Sequence, residues 1–298
     1  MNTIYLKDGI KTNKTVVAVG SFDGVHKGHA ELIKKAVATA EATGALPAVW
    51  TFSDYIPGPA SKHIIPAEKR MQIFRELGVA VVFTCEFDSV RDMSADGFVK
   101  DILIGVCGAK YAVCGYNFRF GKNAGSDAQS LVSLMQRYGG GGVIIDKVCV
   151  NGIPVSSTAI RKALSDGDIK LANGLLGRPF SIEMPVIHGK SMGKSLGFPT
   201  INQSYPDGLV MLKHGVYACE TYIDGKKYKA VTDVGIKPTV GADGVCCESF
   251  ILDYDGDLYG RTVTVYFTGY LRPERKFASL ELLSEQIAKD AKTVKEMQ

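Results

Sequence analysis

The first half of the chain alternates short apolar runs with amphipathic segments. Residues 15–20 (TVVAVG) form a β-branched apolar run that ends at a glycine, as is typical of a buried strand. Apolar residues then recur on one helical face, and Gly44 predicts the end of that helix. Further strands are predicted at 45–52, 79–87 and 110–115, further helices at 66–78 and 94–106, and a glycine turn at 139–142 before a last strand, VIIDKV. Repeated units of this length predict a parallel sheet with helices on both faces.

In the second half of the chain, apolar and polar residues alternate with period two. The change occurs near 177–181, and turn pairs such as Asp224-Gly225 and Asp255-Gly256 join the later runs. These runs, which we predict to be strands, cover 215–223, 227–235, 246–254 and 262–270. Such a small antiparallel module needs closure into a barrel to protect its edge strands. A final helix follows, with an apolar stripe formed by Leu280, Leu283 and Ile287.

The two patterns predict two domains. We expect an α/β chain with an N-terminal doubly wound parallel sheet over residues 1–180, followed by a C-terminal antiparallel β-barrel with a terminal helix over residues 183–298. The length of 298 residues agrees with this division, because single domains typically span about 100–200 residues.

Composition and charge exclude several classes of protein. Hydrophobic residues make up 46% of the chain, which excludes a disordered protein, and the net charge of +4 is too small to argue for nucleic-acid binding by bulk attraction. The N-terminus lacks the apolar segment of a secretory signal, and the longest apolar runs are far shorter than the ~20 residues that span a bilayer. Seven cysteines without a CxxC pair indicate free thiols in a reducing compartment. We therefore expect a soluble cytoplasmic protein with neither a nucleic-acid nor a membrane partner; a homo-oligomer stays open.

A histidine-rich segment joins the first predicted strand to the first helix. It reads GSFDGVHKGH and contains His26 and His29, two of the five histidines of the chain. Open α/β folds bind ligands at this edge of the sheet, and the helix N-terminus there attracts anions. Gly24 and Gly28 would let a phosphate approach the backbone closely. Two alternatives stay open: one packed and one solvated histidine, or a zinc site, which lacks a third ligand at the required spacing.

A glycine- and lysine-rich segment opens the second half. Residues 189–195, GKSMGKS, are one residue short of a Walker A loop. Pro199 interrupts the helix that such a loop requires. The segment therefore argues against a P-loop NTPase.

Several motifs resemble those of one enzyme family. The segment 20–29 resembles the GxFDGVHxGH form of the (H/T)xGH nucleotidyltransferase signature found in bacterial FAD synthetases, and SSTAIR at 156–161 resembles the second signature. Between them, YNFRFG at 116–121 looks like the GxNFRFG loop. GKSLGFPTIN at 193–202 resembles the riboflavin kinase pattern GRxLGFPTAN, and later kinase motifs match 247–260 and 271–277. Together the motifs resemble the bifunctional riboflavin kinases/FMN adenylyltransferases.

This resemblance implies two reactions. Riboflavin and ATP give FMN, and FMN and a second ATP then give FAD and pyrophosphate. For adenylylation, it implies a nucleotidyltransferase-type sheet whose ATP-phosphate cradle consists of Gly24, His26, Gly28, His29, Asn117, Ser157, Thr158 and Arg161. Arg161, one turn into its helix, would point back toward the helix N-terminus, where it suits a phosphate. Ser157 and Thr158 have an alternative reading as a helix cap.

For the kinase, the riboflavin hydroxyl is a poor nucleophile, so a carboxylate must lie within reach. Motif position implies that this carboxylate is Glu248, whose alternative reading is an exposed strand carboxylate. The resemblance further implies Mg²⁺ held by Thr200 and Asn202, with hard oxygen ligands of the kind Mg²⁺ prefers. ATP phosphates would bind Gly189, Gly193 and Lys194, and flavin would contact Arg272.

The sequence departs from the family pattern in two places. Residues 51–56 read TFSDYI where the family has TFxPHP, and residues 233–240 read DVGIKPTV where it has NIGxRPTF. The first departure removes the Pro-His step of the family pattern, and the property that it would affect is the efficiency of adenylylation. Two rival functions are a monofunctional kinase with an inactive N-terminal domain and a flavin-binding regulatory module; the histidine motif argues against the first, and Glu248 with the PTIN segment against the second.

Overall fold

The structure is a computed structural model that describes residues 1–8, 12, 14–53, 62–188, 197–236 and 244–297. It divides into two compact units, residues 1–158 and 159–298. The division predicted from sequence, with a break after residue 180, lies further along the chain and stays a prediction.

The first unit is built on a six-stranded parallel sheet, as predicted. Its strands follow the order β1-β4-β3-β2-β5-β8, and their bounds are β1 Asn2–Tyr5, β2 Thr15–Val19, β3 Leu46–Phe52, β4 Val81–Cys85, β5 Ala109–Gly115 and β8 Gly141–Ile145. Two short two-stranded pairs accompany it: β6 Arg119–Phe120 pairs with β7 Ser126–Asp127, and β9 Cys149–Val150 pairs with β10 Ile153–Pro154. Strands β2 and β4 are buried at every position and mostly apolar, as is typical of a parallel sheet covered on both faces.

Helices connect these strands. Their bounds are α1 Lys27–Thr43, α2 Ala67–Glu76, α3 Ala95–Gly97, α4 Ala128–Arg137 and α5 Ser157–Asp166, with 3-10 turns at Leu6–Asp8, Phe87–Ser89 and Lys122–Ala124. The first helix ends at Gly44, whose φ of 58° closes the last turn as the sequence predicted. The helix predicted over 94–106 is present, but from Phe98 to Val106 it is a π-helix. Periodicity alone does not distinguish this winding from an α-helix.

The glycine run at 139–142 corrects one expectation. The last strand begins at Gly141, so two of the four glycines belong to the strand rather than to the turn, and the strand ends at Ile145. The reason is steric. A Cβ atom at Gly141 would lie 2.5 Å from the ring of Tyr111, and one at Gly142 would lie 2.7 Å from Val132.

The second unit is a closed six-stranded antiparallel barrel, which confirms the predicted architecture. The strand order is β11-β12-β15-β14-β13-β16, and the bounds are β11 Phe180–Ile187, β12 Thr200–Ser204, β13 Gly215–Ile223, β14 Lys226–Ile236, β15 Val245–Ile251 and β16 Thr262–Arg272. The hairpin between β13 and β14 turns at Asp224 and Gly225, which both have positive φ, as the Asp-Gly pair predicted.

Two helices pack on the barrel. Helix α6, Ile169–Leu176, is joined to it by Asn173, whose Nδ2 donates to the carbonyl of Phe267 at 2.8 Å and whose Oδ1 accepts from the N–H of Phe180 at 2.7 Å. Helix α7, Leu280–Glu296, packs Val294 against the apolar cluster Val216, Ala218, Val231 and Leu252.

The stripe predicted for α7 is partly wrong. Leu280 is 56% exposed, whereas the fully buried side chains of the helix are Asp290 and Val294. Leu283 and Ile287 are half-buried. The buried face includes a charged residue because Asp290 binds Arg272, an ion pair that apolar periodicity does not reveal.

Candidate active sites

A cavity of about 690 Å³ opens in the first unit, beside the carboxyl ends of the strands. Six residues that the sequence assigned to the ATP-phosphate cradle line it: His26, Gly28, His29, Asn117, Ser157 and Thr158. They come from three separate segments of the sequence, and the fold brings them together. Gly24 does not line the cavity. Its φ is +79°, and the side chain of Ile64 lies 3.0 Å from where a Cβ would stand, so glycine is required there for the turn.

His26 and His29 stand at the N-terminus of α1. Nδ1 of His26 accepts a hydrogen bond from the backbone N–H of His29 at 3.2 Å, which makes His26 the N-cap of the helix. Because this nitrogen is the acceptor, the neutral imidazole carries its proton on Nε2. His26 is 6% exposed, and its ring stacks on that of His29 with centroids 3.6 Å apart.

The N-terminus of α5 reaches the same cavity. The hydroxyl of Ser157 donates to the carbonyl of Asp23 at 2.9 Å, which ties this helix to the loop that leads into α1. Since α5 begins at Ser157, the cap position falls on Ser156 rather than on Ser157 or Thr158. Two helix N-termini thus border one cavity, and each favours an anion there. Arg161 lies one turn further along α5, in the second compact unit, and its phosphate-binding role stays a prediction.

The other half of the cavity is aromatic. Its ring-bearing lining residues are Trp50, Phe52, Phe87, Phe98, Tyr116, Phe118 and Phe120. The ring of Trp50 meets those of Phe52 and Phe98 edge-on, with centroids 5.0 and 4.8 Å apart, and Phe118 stacks on Phe120 at 5.5 Å. Sequence reasoning assigned no role to these residues. Their signal was nevertheless there, because Trp50 and Phe52 end a predicted strand and Phe118 and Phe120 lie within the 116–121 loop.

A buried arginine braces the floor of this cavity. Arg70 is 7% exposed, and its guanidinium donates to the carbonyls of Ser21 at 3.1 Å and Phe52 at 2.8 Å. The hydroxyl of Thr51 also donates to the carbonyl of Ser21, at 3.0 Å. Burial lowers the pKa of Arg70, and the nearby Asp23 carboxylate partly opposes that shift. Both carbonyls belong to cavity-lining residues, so Arg70 holds the ends of two neighbouring strand–loop junctions in place.

In the barrel, strand register aligns the predicted kinase residues. Asn202 on β12 lies opposite Glu248 on β15, Glu248 lies opposite Asp233 on β14, Asp233 lies opposite Val216 on β13, and Val216 lies opposite Arg272 on β16. Directly opposed residues of antiparallel strands point to the same face of the sheet. We call these five residues the cross-strand row. It joins the predicted metal ligand, base and flavin contact, and it adds Asp233, to which sequence reasoning assigned no role.

The cross-strand row lies on the outer face of the barrel. The alternate residues Gln203 and Cys247 are 0% exposed and point inward, whereas Glu248 and Asp233 are half-buried. Val216, a member of the row, packs against Val294 of α7. The alternative reading of Glu248 as an exposed strand carboxylate agrees with its place on β15, but its side chain is half-buried rather than exposed.

Arg272 is held by the C-terminal helix. Its Nε and one terminal nitrogen donate to Oδ2 of Asp290 at 3.0 and 2.7 Å. The side chains are 18% and 8% exposed, respectively, so this is a largely buried fork-shaped ion pair. The pair fixes the guanidinium at the end of the row.

Of the remaining predicted kinase residues, the structure describes only Thr200. Thr200 and Asn202 occupy alternate positions of β12 and so share a face. Gly189, Gly193 and Lys194 lie outside the described residues.

Within the described ranges, no group of three or more His, Cys, Asp or Glu side chains is placed to hold a metal ion. Nor does any helix among the described residues have the length and apolar character to cross a membrane.

Comparison with known proteins identifies both halves. A family model described as riboflavin kinase matches residues 176–298, and one described as FAD synthetase matches residues 9–159. The bifunctional riboflavin kinase/FMN adenylyltransferase of Bacillus subtilis strain 168 is 32% identical over 292 residues, covering 93% of this chain and 90% of that protein. Its counterpart in Escherichia coli strain K12 is 33% identical over 288 residues, covering 94% and 92%.

A solved structure resembles the whole chain. It is a crystal structure from Streptococcus pneumoniae named as a macrolide-efflux protein, with a TM-score of 0.90, 30% identity and coverage of 99% of both chains. The name of that structure and the names of the sequence relatives differ, and the two family models agree with the relatives. The chain therefore belongs to the family of bifunctional riboflavin kinases/FMN adenylyltransferases, and it converts riboflavin to FMN and FMN to FAD.

Proposed function

We propose that the two reactions occur at the two places described above, adenylylation in the cavity of the first unit and riboflavin phosphorylation at the cross-strand row of the barrel. One observation carries this proposal. The match to the FAD synthetase model covers the unit that contains the cavity, and the match to the riboflavin kinase model covers the barrel.

In the cavity, the FMN phosphate is already a nucleophile and needs no general base. Its oxygen attacks the α-phosphorus of ATP, and the bond from that phosphorus to the β-phosphate oxygen breaks to release pyrophosphate. Catalysis of such a step consists of positioning and charge stabilisation. We assign these tasks to the Nε2–H of His26, to His29 and to the two helix N-termini, with Asn117, Ser157, Thr158 and Arg161 completing the cradle. The cap bond at Nδ1 supports the role of His26, because it leaves the opposite nitrogen as a donor.

The aromatic half of the cavity is the proposed site of the flavin ring. A flat ring system favours offset or edge-to-face contacts with aromatic side chains. The edge-on arrangement of Trp50 between Phe52 and Phe98 supports this assignment. With the phosphate cradle on the other side, a single cavity can hold both ends of FMN next to ATP.

At the cross-strand row, Glu248 is the proposed general base. It accepts the proton of the riboflavin hydroxyl as that oxygen forms a bond to the γ-phosphorus of ATP and ADP leaves. Arg272 is the proposed flavin contact, and Asp290 orients it. Gly189, Gly193 and Lys194 are proposed to bind the ATP phosphates.

The kinase site is proposed to bind Mg²⁺ through Thr200 and Asn202. The side chains fit this ion, since a hydroxyl and an amide oxygen are hard ligands and Asn202 is nine-tenths buried beside Glu248. When bound with ATP, Mg²⁺ neutralises charge on the phosphates.

We also propose that the protein acts in the cytoplasm, with small molecules as its partners. Its seven cysteines are all free, and burial raises the pKa of thiols such as Cys107 and Cys219, which keeps them protonated.

The deciding experiment is a product assay. The full chain is supplied with riboflavin, ATP and Mg²⁺, and FMN and FAD are separated over time. FMN should appear first and FAD should follow. A chain that makes FMN but never FAD would support the monofunctional kinase, and one that makes neither while binding flavin would support a regulatory module.

A further inference from the structure

The loop that leads into α1 has a backbone conformation that most side chains avoid. Phe22, Gly24 and Val25 have φ of 52°, 79° and 37°, and only the glycine enters this left-handed region without strain. Such a backbone persists only where the surrounding structure holds it. His26 follows Val25 directly, so the contacts that hold this loop also set the position of the proposed phosphate donor.

Asp23 lies in the middle of this loop and is bound to other segments of the chain. Its Oδ1 accepts a hydrogen bond from the backbone N–H of Ile64 at 3.0 Å, and its carbonyl accepts from the hydroxyl of Ser157 at 2.9 Å. The Asp23 carboxylate also opposes the lowering of the pKa of Arg70 by burial, so these two opposite charges attract each other. Three separate segments therefore meet the loop at Asp23.

Apolar packing fixes the residues on either side of Asp23. Phe22 is 0% exposed, and the centroid of its ring lies 5.1 Å from that of His29. Gly24 lies against the side chain of Ile64. Ile64 thus meets the loop twice, through its N–H at Asp23 and through its side chain at Gly24. The loop is therefore in contact with the second histidine of the cradle as well as the first.

We propose that Asp23 is a positioning residue for FAD formation. Its hydrogen bond with Ile64 holds the strained loop, and the loop keeps His26 in place as the cap of α1 with its proton on Nε2. Asp23 does not line the cavity, so it acts through the histidine and not on the substrate. This inference rests on the proposed function of the cavity.

The test compares Asp23→Ala with Asp23→Asn in the full chain. Asparagine retains an oxygen that accepts from the N–H of Ile64, whereas alanine does not. In the alanine variant, the kcat for conversion of added FMN to FAD should fall about 10²-fold, the usual effect of displacing catalytic groups by about 1 Å. Its KM for FMN should stay constant. The asparagine variant should recover most of the lost rate, and both variants should form FMN from riboflavin like the parent.

Asp168→Ala is the matched control. The carboxylate of Asp168 accepts from the backbone N–H of Leu171 at 3.0 Å, which is the same kind of bond, at the start of α6. Because this residue belongs to the other unit, its replacement should leave the conversion of FMN to FAD at the parental rate.

A spectroscopic measurement separates positioning from a purely structural role. In protein that contains ¹⁵N-labelled histidine, the NMR signals of His26 are assigned by their loss in His26→Asn. In the parent, they should report the tautomer with its proton on Nε2, because Nδ1 accepts the cap bond. The folded Asp23→Ala variant should show both tautomers, and the asparagine variant should match the parent.

Several results would overturn the inference. They are a parental kcat in the alanine variant, a reduced kcat with the parental tautomer of His26, and an alanine variant that does not fold, which would make the role of Asp23 structural. An asparagine variant as slow as the alanine variant would also overturn it, because the hydrogen bond with Ile64 would then not be what matters.

Failure of the inference can be told apart from failure of the proposed site. If replacement of both His26 and His29 by alanine reduces FAD formation and Asp23→Ala does not, the site stands and the role of Asp23 is wrong. If the double replacement also leaves FAD formation intact, the proposed adenylylation site itself is wrong.

Discussion

The imidazole rings of His26 and His29 lie face to face, with centroids 3.6 Å apart and planes inclined by 11°. The backbone N–H of His29 is at the same time the donor that fixes Nδ1 of His26. The two residues therefore form one unit, in which the start of α1 and the direction of a histidine N–H are set together.

Replacement of both His26 and His29 by alanine should reduce FAD formation about 10²–10³-fold, the usual effect of removing transition-state donors. Riboflavin phosphorylation should continue, because the proposed kinase residues belong to the barrel. Both rates are measured in one assay that separates FMN from FAD. An unchanged FAD rate would contradict the assignment of these histidines.

The capping role of His26 can be separated from its proposed catalytic role with His26→Asn. Asparagine is a good N-cap, whereas alanine costs about 1 kcal/mol at such a position. We expect the asparagine variant to unfold like the parent and to lose FAD formation nonetheless. Recovery of activity in this variant would mean that the cap alone matters.

Glu248→Gln should reduce FMN formation about 10²–10⁴-fold, the usual contribution of a general base. Conversion of added FMN to FAD should persist, since the two proposed sites belong to different units. Initial rates of each step, measured separately, test this. Equal loss of both rates in a folded variant would refute the two-site assignment.

The aromatic half of the cavity can be tested at Phe118, which is half-buried and stacks on Phe120. Phe118→Ala should weaken FMN binding by about 1 kcal/mol, roughly fivefold, because one ring contact is lost. The KM for FMN should rise while the KM for ATP stays constant. A parallel rise in both constants would place the flavin elsewhere.

Arg70→Met should destabilise the first unit by about 1–3 kcal/mol, because the half-buried Phe52 carbonyl loses its charged donor and the Ser21 carbonyl keeps only the hydroxyl of Thr51. Trp50, the single tryptophan of the chain, lies in this unit and reports its urea unfolding by fluorescence. FAD formation should fall with the loss of the brace, and FMN formation should be retained. An unshifted urea midpoint would mean that Arg70 does not brace the two junctions.

Fragments of the chain test the domain boundary. A fragment of residues 159–298 keeps α6, whose Asn173 binds the barrel at Phe267 and Phe180, and it should fold and convert riboflavin to FMN. A fragment that begins near Ile182 lacks both Asn173 and Phe180. It should make FMN with a lower unfolding temperature, because Phe180 is almost completely buried. Neither fragment should make FAD. Equal stability of the two fragments would show that α6 adds nothing to the barrel.

The sequence by itself determined the elements and the motifs, because both depend on residues close together in the chain. The β-branched run at 15–20, the end of α1 at Gly44 and the Asp224-Gly225 turn are local features, and all three were predicted. The motifs likewise indicated both reactions before any contact was known. The same local reasoning did not distinguish a π-helix from an α-helix at Phe98–Val106, because apolar residues fill most of this segment and leave no clear period.

Only the tertiary structure decided which distant residues meet. The contact of Arg70 with Ser21 and Phe52 joins residues 49 and 18 positions apart, and nothing in the local sequence encodes it. The place of Asp233 beside Glu248 depends on the register of β14 and β15, since a shift by one residue would turn its side chain to the other face. The burial of Asp290 in α7 instead of Leu280 follows from its partner Arg272, which lies on strand β16. Register and long-range pairing are properties of the folded chain, and they determine the composition of each site.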